Sequence, residues 1–549
     1  MSGSITLENR FGVNKMELIS LKYAIFVIVL LVLYYCFPKK YRWYVLLAGS
    51  MAYYVIICKW YVLFIIFTIC TTYGSTIWID KLLKEQNAIV KSHKEDWDRQ
   101  TRKEYKEKGR KKRVAVMLFA LLCNFGILAF LKYIPYAGEL GLLLPLGISF
   151  YTFQSMGYVM DVYREIVEPE KNFLKVALFV SFFPQIIQGP IAIYDKLAGQ
   201  LYEGHSLRLE NLQKGALLVL WGVMKKLVIA DRAVNIINFV MDKPMDFSGT
   251  YVFFAAVVYA LQLYADFSGG IDIVRGIAEM FGITMSTNFN HPYFSRSLTE
   301  YWHRWHMTLG DWCRNYIFYP LSISKRFLNF GKWLKPRFGA HISKVLPGCI
   351  ASVITFIVIG VWHGANMKYL CFGLWNGIVI MLAELFAPVN KKVAGGFFKL
   401  TGLREKGIFA TIVSVLWTFM LILVGYYFDI AANASTAFHM LFKSVTDFHI
   451  SELGINNIIL NLGACGLDEY DILLLIICTL LWFFISFVEE NKKLDMRDFI
   501  LSRKLPLRWA IIYLGIFIVI IFGYYGPGVN PADFVYMPVS YTHLRAHET

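Results

Sequence analysis

NFNHPYFSRSLTEYWHRWHMTLGDWCRNYIFYP, residues Asn288–Pro320, is the stretch from which the rest of the chain is read. It gathers His, Arg, Trp and Tyr inside a protein that is 57% hydrophobic. A shorter piece answers it downstream: Val361-Trp362-His363-Gly364, where a histidine closes an apolar run. Polar groups are costly to hold at membrane depth, so such a concentration marks a working site. The remaining chain reads as the scaffold that brings the two pieces together.

That scaffold is apolar in runs of membrane-spanning length. A bilayer-crossing helix needs about 20 mainly apolar residues, and Leu18–Phe37, Tyr61–Ile79 and Ile408–Phe428 each come close. Further candidates are Tyr44–Cys58, Val114–Leu131, Gly141–Met160, Gly215–Val228, Tyr251–Tyr264, Val345–Trp362, Tyr369–Phe386, Ile472–Val488 and Trp509–Tyr525. Phe173–Ile187 is short and ends before Gly189-Pro190, so it reads as re-entrant or interfacial. The expected fold is all-α, a polytopic membrane protein of about 11 to 13 membrane helices, several of them short. Short apolar pieces with polar interruptions fit a bundle around a cavity, where neighbouring protein or water satisfies the backbone.

The formal charge of +16 does not point to nucleic acid, because the Lys and Arg residues sit between apolar segments rather than in a separate basic domain. Asp80–Arg113 alone carries thirteen of them and reads as a solvated loop, although its alternating signs would suit a helix. Ser324–Lys344, Asn390–Gly407 and Asn491–Arg508 are also basic, while Asp429–Asp471 holds the single lysine Lys443 and several carboxylates. By the positive-inside rule the basic group is cytoplasmic, the acidic loop is outside, and the N-terminus lies outside. The nine cysteines form no C-x-x-C pair and mostly lie in apolar runs, as small buried hydrophobes do.

The two ends differ from the rest. Residues 1–15 are polar and precede Met16, so they read as a disordered or non-native extension. From Val539 the text becomes VSYTHLRAHET, and residues 539–549 read as a non-native tail. Between them, 16–538 reads as a single membrane domain.

If Glu300–Tyr319 is one helix, His303 and His306 share a face, with Glu300 one turn before His303. Trp302, Trp305 and Trp312 would line a pocket or an interface, and Arg296, Arg304 and Arg314 would hold anionic groups. A lone histidine on an apolar face is usually a satisfied core residue. His363 differs because it closes a span, where an ionisable side chain points to function. The same three histidines could bind zinc in an open site, but their spacing fixes no acidic partner, so no metal is expected. There is no G-x-S-x-G and no P-loop. Work done here without ATP needs an activated donor such as a thioester. Gln154, Asp161 and Arg164 on one span, and Asp266, Ser268 and Asp272 on another, read mainly as polar helix-packing residues.

Several motifs together carry a family resemblance: PLGISFYTFQSMGYVMDVYR (Pro145–Arg164), SFFPQIIQGPI (Ser181–Ile191), ADFSGGIDI (Ala265–Ile273), Asn288–Leu321, and VWHGANMKYLCFGLWNG (Val361–Gly377). In this order they resemble the membrane-bound O-acyltransferase (MBOAT) family, and within it the bacterial alginate O-acetylase branch. The resemblance implies a ring of helices around a central tunnel, with residues 288–377 supplying the catalytic core. It implies His363 as general base, in the family's Trp-His-Gly context, and His306 as its partner, in Arg-Trp-His. Asn288, Asn290, Arg304, Trp305, Arg314, Trp362, Gln154 and Asp266 would line the tunnel. It further implies no bound cofactor. A thioester donor, acetyl-CoA or an acyl carrier, would arrive from the cytoplasm, and an exported polysaccharide would receive the acyl group. A separate extracytoplasmic hydrolase-like partner would complete the transfer. The protein would sit in the plasma membrane. Within the same family the alternative is D-alanyl transfer to teichoic acid, and outside it a non-catalytic transporter of an anionic sugar or lipid. The chain departs from the family at Arg314-Asn315-Tyr316, where many relatives have Arg-Asp-Tyr and then a Gly pair.

Overall fold

A computed structural model describes residues 18–134, 140, 142, 144–401, 404, 407–454, 457 and 465–526. The expected N-terminal extension and the foreign-looking tail lie outside the described residues. Among the described residues every regular element is a helix. Among the described residues, eight helical stretches are long and apolar enough to cross a membrane: Lys39–Ser92, Arg99–Tyr133, Gly249–Met280, Lys325–His363, Met367–Leu385, Ile408–Ile430, Glu469–Lys492 and Leu505–Phe522. Leu21–Cys36 and Phe173–Gln188 are shorter apolar pieces. The larger number expected from the sequence includes such short pieces. Helix Leu505–Phe522 leaves Leu514 61% and Ile521 64% exposed, a surface that water would penalise and lipid would cover. The protein is an all-α, multi-span membrane protein.

The chain divides into two compact units, residues 18–219 with 270–286 and residues 220–269 with 287–526. In the first, the basic segment is not the loop expected. Helix Val62–Ser92 carries it outward and helix Arg99–Tyr133 brings it back. Asp98 caps the return helix by accepting from Thr101 N–H at 2.9 Å. Buried Gln86 ties the two arms, its Nε2 donating to Lys106 O at 2.8 Å. Helix Ile148–Tyr163 is buried on nearly all sides, and its apolar and aromatic residues enclose the polar Gln154 and Asp161. The piece foreseen as re-entrant is two short helices, Phe173–Ser181 and Phe183–Gln188. They part at Phe182, where Pro184 starts the second with its missing N–H harmless in the first turn.

The second unit is built on two tight associations. One is the hairpin of Lys325–His363, kinked at Gly339, with Met367–Leu385. Its arms touch through glycines: a Cβ on Gly360 would lie 2.3 Å from Tyr369 O, and one on Gly373 2.4 Å from Phe356 O. Small residues let membrane helices approach this closely. The other is a buried ion cluster at the π-helical turn Lys225–Ala230. Lys226 Nζ lies 2.8 Å from Asp231 Oδ1 and 2.7 Å from Asp266 Oδ1, and Lys225 Nζ donates to Ser268 Oγ at 2.8 Å. Arg232, one turn on, reaches Asp471 Oδ1 at 2.8 Å and Phe522 O at 2.6 Å.

The hairpin contact gives a direct test. Gly373→Ala forces a methyl into a backbone carbonyl, an overpacking that costs about 1–3 kcal/mol, and the detergent-solubilised protein should melt several degrees lower (~2–4 °C). Gly348→Ala on the same hairpin meets no atom within 4 Å, and its Tm should be unchanged or slightly higher.

Candidate functional site

The polar stretch opens with a local rule. Ser297 Oγ accepts from Glu300 N–H at 3.1 Å, and Glu300 Oε2 reaches back to Arg296 N–H at 2.8 Å. This S-x-x-E pattern starts helix Leu298–Arg304. The single helix expected over Glu300–Tyr319 is not found. It stops at Trp305, which is extended (φ −105°, ψ 128°), and His306 turns left-handed (φ 44°, ψ 52°) before helix Met307–Cys313. A side chain in that region costs of order 1–3 kcal/mol and persists only where its surroundings enforce it. His303 and His306 therefore do not share one continuous helical face.

The surroundings are specific. Asn290 N–H donates to Arg304 O at 3.0 Å and Met307 N–H to Asn288 O at 2.9 Å, so residues 288–290 pair with the broken backbone. Trp305 fills the gap as a core residue. It is 6% exposed and packs against Phe289 (centroids 5.0 Å), Tyr301 (5.6 Å) and Tyr264 (5.9 Å). Around it runs a chain of phenols: Tyr301 OH to Tyr426 OH at 2.7 Å, Tyr426 OH to Tyr293 OH at 3.1 Å, and Tyr293 OH to Ala260 O at 2.6 Å. Charge pins the outside. Arg304 Nη2 lies 2.7 Å from Glu300 Oε1 and 3.0 Å from Glu490 Oε1, and His291 Nε2 lies 3.1 Å from Glu489 Oε2.

His306 itself is 2% exposed and meets Phe267 edge-on at 4.9 Å between centroids. Burial pushes its imidazole down to about 3, and the charge of His363 acts in the same direction. The two histidines foreseen as a pair are thus close enough to feel each other. A second link joins their segments: Trp302 Nε1 donates to Asn376 Oδ1 at 3.0 Å, and Trp302 packs on Phe356 and Phe372 of the hairpin. His363 ends its helix half-buried, its ring 4.9 Å from Trp362, 5.7 Å from Phe372 and stacked at 6.0 Å on Tyr369.

The other expected lining residues are placed as follows. Trp362 is buried beside His363. Asn288 is buried at the turn and Asn290 contributes its backbone to it. Arg314 pairs with Asp311 at 2.7 Å. Asp266 is held by Lys226. Gln154 lies in the first unit, where its Nε2 donates to Phe179 O at 2.6 Å and its Oε1 accepts from Gln185. Among the described residues no three His, Cys, Asp or Glu side chains converge as metal ligands. Sequence reading missed Asn376 and Phe267 as partners of this site. Nothing distinguishes Phe267 from its many apolar neighbours, whereas Asn376 was visible as an amide inside an apolar span.

The depressed His306 gives a signed pH dependence. An unfolded histidine takes up its proton near pH 6.5 while the folded one does not, so stability is full above that pH and falls by about 1.4 kcal/mol per unit below it. On going from pH 7 to pH 5, Tm in detergent should fall less for His306→Phe than for the wild type.

Residues 169–335 match the family model described as MBOAT, membrane-bound O-acyltransferase family. Among curated proteins, the chain is 30% identical over 315 residues to a protein named probable alginate O-acetylase from Pseudomonas syringae pv. tomato, covering 57% of this chain and 54% of that one. It is 30% identical over 314 residues to the peptidoglycan O-acetyltransferase of Helicobacter pylori, covering 50% and 56%. With the teichoic acid D-alanyltransferase of Bacillus subtilis identity is 26% over 288 residues, covering 51% and 67%. The chain thus spans a little over half the length of the first two. The match over residues 169–335, which takes in His306, and these relatives make the chain similar to the membrane-bound O-acyltransferase family.

Proposed function

We propose that this protein is a membrane O-acyltransferase that takes an acyl group, an acetyl group in the simplest case, from a thioester donor on the cytoplasmic side. The group is destined for hydroxyls of an exported cell-surface polysaccharide. The observation that carries the reading is that the segments of His306 and His363 are joined inside one packed unit: Trp302 donates to Asn376 and packs on Phe372, the ring that His363 also meets. His363 is the base: it is half-buried, ends a span, and carries an imidazole, the side chain suited to taking up a hydroxyl proton. His306, held neutral, orients or polarises the reacting groups. A thioester supplies the driving force that the absence of a P-loop motif leaves to the donor. The protein sits in the plasma membrane with its N-terminus outside, a reading supported by the positive-inside bias of the basic segments. A separate extracytoplasmic hydrolase-like protein completes the transfer.

The relatives' names support acyl transfer to envelope polymers and leave two acyl groups in contention. The likeness to a D-alanyltransferase favours, as a second reading, D-alanyl transfer to teichoic acid from a carrier protein. Release of acetate and of D-alanine from envelope polymers on mild alkaline treatment, with and without the gene, separates the two.

His363→Ala should abolish O-acetylation of exported polymers while the protein accumulates to its normal level. Undiminished acetylation in that variant would overturn the assignment and favour transport.

A further inference from the structure

Helix Met307–Cys313 has an unusual start. The residue in its cap position, His306, makes no capping hydrogen bond. The acceptor comes from elsewhere in the chain: Asn288 Oδ1 receives Thr308 N–H at 3.0 Å and Thr308 Oγ1–H at 2.7 Å. A cap supplied from outside satisfies a helix-start donor that the His306 side chain does not meet. It also fixes the identity of the two amide atoms of Asn288. A backbone N–H can only donate, so the atom it meets is the oxygen, and the other corner of the amide is the NH2. Asn288 is 0% exposed, and among the described residues its Nδ2 has no hydrogen-bond partner. A buried donor without an acceptor is rare in folded proteins and calls for a ligand or an ordered water. An amide measures about 2.3 Å between its oxygen and nitrogen, so with Oδ1 anchored on Thr308 the NH2 is confined to the same turn as His306.

We propose that Asn288 divides two tasks between the ends of its amide: Oδ1 holds the left-handed turn that presents His306, and Nδ2 donates to the carbonyl oxygen of the acyl group being transferred. This rests on the acyl-transfer reading above and adds to it the donor that the acyl carbonyl meets. Two oxygens could in principle accept from Nδ2, that of the acceptor hydroxyl and that of the acyl carbonyl. A donor on the hydroxyl oxygen would withdraw the lone pair needed for attack. A donor on the carbonyl strengthens as charge builds there, so the carbonyl is the productive partner. In the step itself the hydroxyl oxygen bonds to the acyl carbon, its proton passes to the His363 imidazole, and the carbonyl π pair moves onto the oxygen facing Asn288. The pair then returns, the C–S bond breaks, and the leaving thiolate takes the proton from the imidazolium. An ester and a free thiol result, with no oxidant or reductant.

Asn288→Asp keeps the acceptor for Thr308 and loses the NH2. Asn288→Ala loses both. Removing one donor of this type costs about 10²–10³ in rate. Acetyl release from exported polymers, normalised to the amount of protein in the membrane, should therefore fall at least tenfold in both variants. Asn288→Asp at more than half of wild-type acetylation overturns the carbonyl contact and reduces Asn288 to a clamp. Asn288→Ala at that level overturns the whole proposal. His363→Ala runs beside them: if it retains acetylation, the acyl-transfer reading fails, and if it loses acetylation while Asn288→Asp does not, only this inference fails. Should the Asn288 variants not accumulate, infrared difference spectra of 13C-carbonyl acetyl-CoA bound to the purified His363→Ala protein decide. A carbonyl band below its frequency in an apolar solvent supports the contact, and an unshifted band means that Nδ2 meets water only and overturns it.

Discussion

A chain that stops being helical inside an apolar bundle must find new partners for every backbone group it releases. That constraint governs the region around His306. The helix that begins at Leu298 ends at Arg304, and the released groups are met by residues 288–290 running alongside. Trp305 stabilises the break by burying its ring among Tyr264, Phe289 and Tyr301. Arg304, flanked by two glutamates, locks the last turn before it. Without this set of contacts the segment would relax into one helix, and His306 would rotate away from Phe267 and from the hairpin that carries His363.

The ion cluster at Lys226 supports the same geometry from the other side. Taking a lysine and two aspartates out of water is expensive, and their attraction offsets that cost only while all partners are present. Removing one carboxylate from such a cluster typically costs about 3–5 kcal/mol. The cluster therefore fixes the register of helix Gly249–Met280 against the turn at Lys225–Ala230 more sharply than apolar packing could. Asp266 is the residue before Phe267, whose ring meets His306. A residue expected to line a tunnel is thus tied into the scaffold that aims one.

Much of this was legible in the sequence, and the parts that were not share a cause. Spans such as Ile408–Ile430 and Glu469–Lys492 follow from apolar runs that no soluble fold would tolerate. That His306 and His363 belong to one site was an expectation from motif context, since composition alone would single out neither. What escaped was conformational: the left-handed turn at His306 has no glycine to announce it, because tertiary contacts rather than local preference enforce it. The helical state of the basic segment escaped for the opposite reason. Charge density there argued for solvation, and solvation is compatible with a helix once Asp98 caps it and Gln86 ties its arms.

That basic hairpin bears on the reach of its own charge. Asp80–Ser92 and Arg99–Arg113 are helical, and at about 1.5 Å per residue each arm runs on the order of 20 Å beyond the last apolar turn. The screening length at physiological salt is about 8 Å. Lysines near the base of the arms, such as Lys81 and Lys112, are within range of anionic head groups, while Lys94, Arg99 and Arg102 near the tip are more than one screening length away along the helix axis. A loose loop would let all of them settle on the lipid. A stiff one divides them, so that the positive field at the tip is offered to whatever diffuses in the surrounding solution rather than to the membrane that anchors it.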